Sequence, residues 1–117
     1  EDVQFKKLII KHYSDLKLFD IYGVQIFELK GTISIQIDIK TNKENLQNTI
    51  YQTYKSLHNL SNYYFQELNN FRIIYHFEDN SLPLATSADR DCLERFFTKK
   101  NEGFSDWENN CLNTGSL

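Results

Sequence analysis

The run Ile33-Ser34-Ile35-Gln36-Ile37-Asp38-Ile39-Lys40 puts an isoleucine at every second position. Successive side chains of an extended chain point to opposite faces. This period of two therefore turns four isoleucines one way and Ser34, Gln36, Asp38 and Lys40 the other. The pattern specifies a half-buried strand, and something apolar must cover its isoleucine face. Just upstream, Lys30-Gly31-Thr32 supplies a turn in which Gly31 can take positive φ. Residues 24–30 and 33–39 thus read as a β-hairpin. The first strand is less regular, because Val24 and Ile26 share one parity and Phe27 and Leu29 the other. A bulge or burial on both faces would reconcile them.

Helical periodicity flanks this hairpin. Phe5, Leu8, Ile9, His12, Leu16 and Phe19 fall on one side of an amphipathic helix over residues 3–19. Thr41-Asn42-Lys43-Glu44 has the form of a capping box, with Thr41 accepting from the backbone at Glu44. The helix expected after it, about 43–68, carries the stripe Leu46, Ile50, Tyr54, Leu57, Ser61, Tyr64 and Leu68, with Asn69-Asn70 ending it. Residues 71–77 alternate again, Phe71, Ile73, Tyr75 and Phe77 against Arg72, Ile74 and His76. Thr86-Ser87 are candidate caps for a last helix over about 88–99. Residues 100–117 read as an irregular tail, anchored by Phe104 and Trp107.

The expected fold is therefore α+β, in the order α-β-β-α-β-α. Its small three-stranded mixed sheet would have helices packed on one face, and the crossover from 33–39 to 71–77 makes those two strands parallel. The order over residues 3–77 resembles part of a ferredoxin-like split βαβ sheet lacking its first strand. That likeness is one of topology and implies no activity. A chain of 117 residues suits a single domain, with its core over about 3–99. Its 40% hydrophobic and 25% charged residues fit a folded globule.

Charge narrows the function classes. The net charge is −3, and the basic residues are scattered rather than gathered in a stripe, which argues against a nucleic-acid partner. No apolar run approaches the roughly 20 residues a membrane span requires. The chain begins at Glu1 and contains no methionine. Processing or trimming is expected, either of a signal or anchor preceding Glu1 or of an internal piece from a longer protein. Cys92 and Cys111 are candidates for a disulfide, which would suit an extracytoplasmic, cell-envelope or secreted setting rather than the cytoplasm.

Catalytic signatures are sparse. The sequence has no G-x-S-x-G elbow and no Gly-rich phosphate loop. Its cysteines and histidines lack the compact spacing of a zinc site, so neither metal nor cofactor is expected. Of the three histidines, His12 and His58 lie on apolar helix faces, where packing is the ordinary role. His76 points away from the core, with Gln36, Asp38 and Arg72 as expected neighbours. With Asp38 or Glu78 it would form a general-base pair suited to a small hydrolase or nuclease-like enzyme. The same residue types also make an ordinary solvated sheet face. Tyr63 and Trp107 are aromatic residues expected to be exposed, as in protein interfaces. No catalytic residue is assigned; Gln36, Asp38, Arg72, His76, Tyr63 and Trp107 are the binding candidates. The leading expectation is a non-enzymatic domain that binds a protein partner or self-associates. A cytosolic inhibitor or immunity-type protein with a basic partner is a third reading.

Overall fold

The computed structural model describes residues 2–16, 20–97 and 111–116. It is α+β, but its sheet has five strands rather than the expected three. The elements are α1 (Asp2–Leu16), β1 (Asp20–Leu29), β2 (Thr32–Thr41), a 3-10 turn (Lys43–Asn45), α2 (Leu46–Tyr64), β3 (Leu68–Phe77), β4 (Leu84–Asp89), α3 (Arg90–Phe97) and β5 (Asn113–Ser116). The strands lie side by side in chain order. β2 and β3 are parallel, and the other three pairs are antiparallel. β2 and β3 are direct neighbours, so no strand separates the two ends of the crossover, and β4 and β5 extend the sheet beyond the expected order.

The isoleucine strand behaves as its period dictates. Ile35, Ile37 and Ile39 are fully buried, opposite Phe71, Ile73 and Tyr75 of β3, which are equally buried. Phe5 and Ile9 of α1, Ile50, Tyr54 and Leu57 of α2, and Leu93 and Phe96 of α3 join them in one core. All three helices thus cover the isoleucine face. On β1 the register shifts between Ile21 and Gly23. That bulge lies upstream of the parity conflict and does not resolve it. Val24 and Ile26 pack against the core, while Phe27 sits opposite Ser34 on the other face, 39% exposed.

Four boundaries differ from expectation, each because of a specific contact. Thr41 does not cap a helix. It ends β2, and its buried hydroxyl lies 3.1 Å from that of Thr49. The next residue takes over the cap, with Asn42 Oδ1 accepting from the Asn45 backbone N–H at 2.9 Å. α2 stops at Tyr64 because Arg90 gathers the turn that follows. Its Nε donates to the Leu68 carbonyl at 2.8 Å, Nη2 to the Phe65 carbonyl at 3.2 Å, and Nη1 to Asn62 Oδ1. Leu68 is thereby the first residue of β3, and Asn69-Asn70 are strand rather than helix end.

Thr86-Ser87 are likewise strand. Thr86 faces the core, where its Oγ1 lies 2.8 Å from the Tyr54 hydroxyl and donates to that of Tyr75 at 3.1 Å. The cap of α3 falls to Asp89, whose Oδ1 accepts from the Cys92 N–H at 2.8 Å. Finally, residues 113–116, expected to be irregular, pair with β4 as the fifth strand. Cys92 and Cys111 face each other with their Cα atoms 5.7 Å apart, a separation a disulfide spans. Trp107 and Phe104 lie outside the described residues.

Two predictions follow from this packing. Denatured but unreduced protein should resist alkylation at both cysteines and accept it after reduction. Reduction should lower the urea-unfolding free energy by about 3 kcal/mol, as expected for a loop of this length; two freely reactive thiols would refute the bond.

The second concerns His58, which is buried and stacked on Phe97 at 5.7 Å. Its Nδ1 has no hydrogen-bond partner among the described residues. Burial lowers its pKa from the ordinary histidine value; Glu94 raises it less, and Arg90 adds a smaller lowering. A depressed histidine means that the unfolded chain binds more protons as pH falls below about 6.5. The stability tied to His58 is therefore present at neutral pH and declines on acidification, until the folded-state pKa is passed. The melting temperature of His58→Phe should fall less than that of the wild type between pH 7 and pH 5. Parallel pH profiles would remove His58 as a cause.

Candidate functional site

Among the described residues no helix covers the second face of the sheet. The register assigns to it Gln25 and Phe27 from β1, Ser34, Gln36, Asp38 and Lys40 from β2, and Arg72, Ile74 and His76 from β3, and contact with His76 places Tyr22 of the β1 bulge there as well. Ser87 and Asp89 of β4 and Asn113 of β5 share the same side. The alternation that buries the isoleucines presents these groups together.

One end of this face is a hydrogen-bonded cluster. His76 Nε2 lies 3.0 Å from Asp38 Oδ2, and the other carboxylate oxygen accepts from Gln36 Nε2 at 3.2 Å. Their positions explain the pairing: Lys40 is opposite His76 and Asp38 is opposite Ile74, so Asp38 and His76 are diagonal neighbours. Both side chains are about a quarter to a third exposed, 27% for Asp38 and 30% for His76. The Tyr22 ring packs on the imidazole with centroids 5.4 Å apart. Lys40 Nζ lies 5.8 Å from the centre of the Tyr22 ring. The Tyr22 hydroxyl raises the Lys40 pKa, chiefly by hydrogen bonding; burial opposes this slightly, and Glu78 and Asp20 add smaller raising contributions.

The other end is a hollow of about 350 Å³. Phe27, Ser34, Asn70, Arg72, Ser87, Asp89 and Asn113 contribute to its lining. Arg72 and His76 are four residues apart on β3, roughly 13 Å at strand rise. Between them lies Ile74, only 5% exposed despite pointing to this face. The hollow and the His76 cluster are therefore separate features of one surface.

The sequence candidates divide accordingly. Gln36, Asp38 and His76 come together. Arg72 shares their face but belongs to the hollow. Glu78 follows β3, with its backbone N–H donating to the Thr41 carbonyl at 3.1 Å, and it does not join His76. Tyr63 is 83% exposed and packs against Tyr64 near the end of α2, on the helical side of the sheet. Trp107 lies outside the described residues. His12 Nε2 is 3.0 Å from the Ser56 hydroxyl, tying α1 to α2. Sequence reasoning missed Tyr22, Phe27, Ser87 and Asn113. The alternation Leu84-Ala85-Thr86-Ser87-Ala88-Asp89 was the available signal for Ser87, but it competes with the capping propensity of Thr and Ser.

Fold and face together define an α+β domain whose described helices cover one side of the sheet and whose other side carries polar and aromatic groups. No family model, curated protein or solved structure matches this chain. Among the described residues no helix is long and apolar enough to cross a membrane, and no cluster of His, Cys, Asp and Glu could hold a metal ion.

Proposed function

We propose that this chain is a non-enzymatic interaction domain of an extracytoplasmic or cell-envelope protein, and that it meets a protein partner through the open face of its sheet. The observation that carries this reading is the second face of a five-stranded sheet, which no helix covers among the described residues. It presents the rings of Tyr22 and Phe27, 56% and 39% exposed, beside Gln25, Gln36, Lys40 and Arg72. Interface cores favour exposed rings and arginine among polar groups. The facing cysteines support the oxidising compartment.

The test is photo-crosslinking in the native host, with a photoreactive residue placed in turn at Gln25, Gln36 and Ser87, and at Lys55 on α2 as control. The same partner, identified by mass spectrometry, should attach at the three face positions and not at Lys55. Adducts of equal yield at all four positions, or adducts only at Lys55, would refute the reading.

A catalytic reading has one observation in its favour, the 3.0 Å bond between His76 and Asp38, which is how a carboxylate orients a general base. The hollow lies at the opposite end of the face, and neither His76 nor Asp38 is in its lining. Turnover of simple ester or phosphodiester substrates that His76→Gln abolishes would establish catalysis.

A further inference from the structure

Arg72 and Asp89 carry opposite charges on adjacent strands of the same face. Arg72 is in register with Ser87, and Asn70 with Asp89, so the two charged residues are diagonal neighbours. Such positions are roughly 7–8 Å apart, within reach of long side chains. Among the described residues they nevertheless form no ion pair with each other. Asp89 uses Oδ1 to accept from the Cys92 N–H, and Arg72 has no hydrogen-bond or ionic partner among the described residues. The hollow of about 350 Å³ includes both in its lining, together with Asn70, Ser87, Asn113 and the Phe27 ring.

Resting on the interaction reading above, we propose that this hollow anchors the free C-terminal residue of the partner polypeptide. The carboxylate lies on Arg72, whose planar fork of N–H donors matches a carboxylate at two points. Asn70, Ser87 and Asn113 supply further donors. The second oxygen of Asp89 takes the N–H of the last residue. A chain terminus is the place in a polypeptide where a carboxylate and an N–H donor flank a single Cα, which fits an arginine and an aspartate set diagonally. Phe27 forms the apolar side against which the terminal side chain rests.

A free amino acid offers the same two groups, but sites for small molecules enclose most of their ligand. Here every lining residue lies on a strand, and among the described residues no helix roofs the hollow. An open trough of this kind holds one end of a chain.

The experiment uses the full chain, labelled with nitrogen-15 and titrated with three probes. These are a pool of acetylated tripeptides with a random last residue and a free carboxylate, the same pool amidated, and a mixture of free amino acids. The free-acid pool should shift the Arg72 side-chain resonance and the Asn70 and Asn113 carboxamides. Amidation should weaken binding about tenfold or more, as loss of a charged hydrogen bond does. Arg72→Gln should abolish the preference for the free acid, Arg72→Lys should retain only part of it, and Tyr22→Ala should leave it intact. The amide spectrum of each variant reports that it is folded.

Equal binding of both pools, no binding of either, or free amino acids binding as tightly as the peptides would overturn the proposal. The two readings fail separately. Partner crosslinks on the sheet face without a free-acid preference sink only the terminus site. A free-acid preference without crosslinks on that face sinks the interaction reading.

Discussion

The parallel pairing of β2 with β3 is the constraint on which the rest of this fold depends. Three cross-strand pairs, Ile35 with Phe71, Ile37 with Ile73 and Ile39 with Tyr75, have no exposed surface. Full burial of such a side chain contributes roughly 1.5–3 kcal/mol. A slip of one residue would turn every one of them to the open face, so the register is tightly specified. Parallel strands also require a crossover long enough to return the chain. α2 is that crossover, and its inner residues Ile50, Tyr54 and Leu57 cover the strands it connects. The same register fixes the opposite face without further cost. Asp38 reaches His76 because Ile37 and Ile39 are inside.

Outside this central pair, polar contacts decide where elements begin and end. Thr86 is buried between the hydroxyls of Tyr54 and Tyr75, so β4 is held to α2 and β3 by hydrogen bonds as well as by packing. A buried hydroxyl is costly unless satisfied, which makes the position selective for a small hydroxyl-bearing residue. Arg90 does comparable work at the other end of β4. Three of its nitrogens serve acceptors between Asn62 and Leu68, and its guanidinium lies 5.7 Å from the centre of the Phe71 ring. The turn from α2 into β3 is therefore closed by a residue more than twenty positions downstream.

That distance explains what the sequence could and could not reveal. The strands β2 and β3 were legible because a period of two is a local signal, and with them came the shared face of Gln36, Asp38, Arg72 and His76. β4 was not legible as a strand. Thr86, Ser87 and Asp89 all favour helix starts, and only the partners of Thr86 in the fold decide between cap and strand. β5 has no apolar alternation at all in Asn113-Thr114-Gly115-Ser116, so nothing short of its pairing with β4 identifies it. The capping box at Thr41–Glu44 failed by one residue, since Thr41 stays in β2 and bonds Thr49 while Asn42 does the capping. The hollow was hidden for the same reason as β4 and β5, whose residues form one side of it.

The compartment reading and the hollow meet at the two cysteines. Asp89 lies three positions before Cys92 and caps the helix that carries it, while Asn113 lies two positions after Cys111. Asp89 and Asn113 thus edge the hollow from β4 and β5, close in sequence to the cysteine pair. β5 is a four-residue strand at the edge of the sheet, and a strand of that length paired on one side is weakly held by its own hydrogen bonds. A bond between Cys92 and Cys111 would tether its entry to α3 and restrict the Asp89 and Asn113 backbones together. Preorganisation of that kind lowers the ordering cost of binding without adding a contact. An oxidising environment would then act on the geometry of the open face as well as on the stability of the fold.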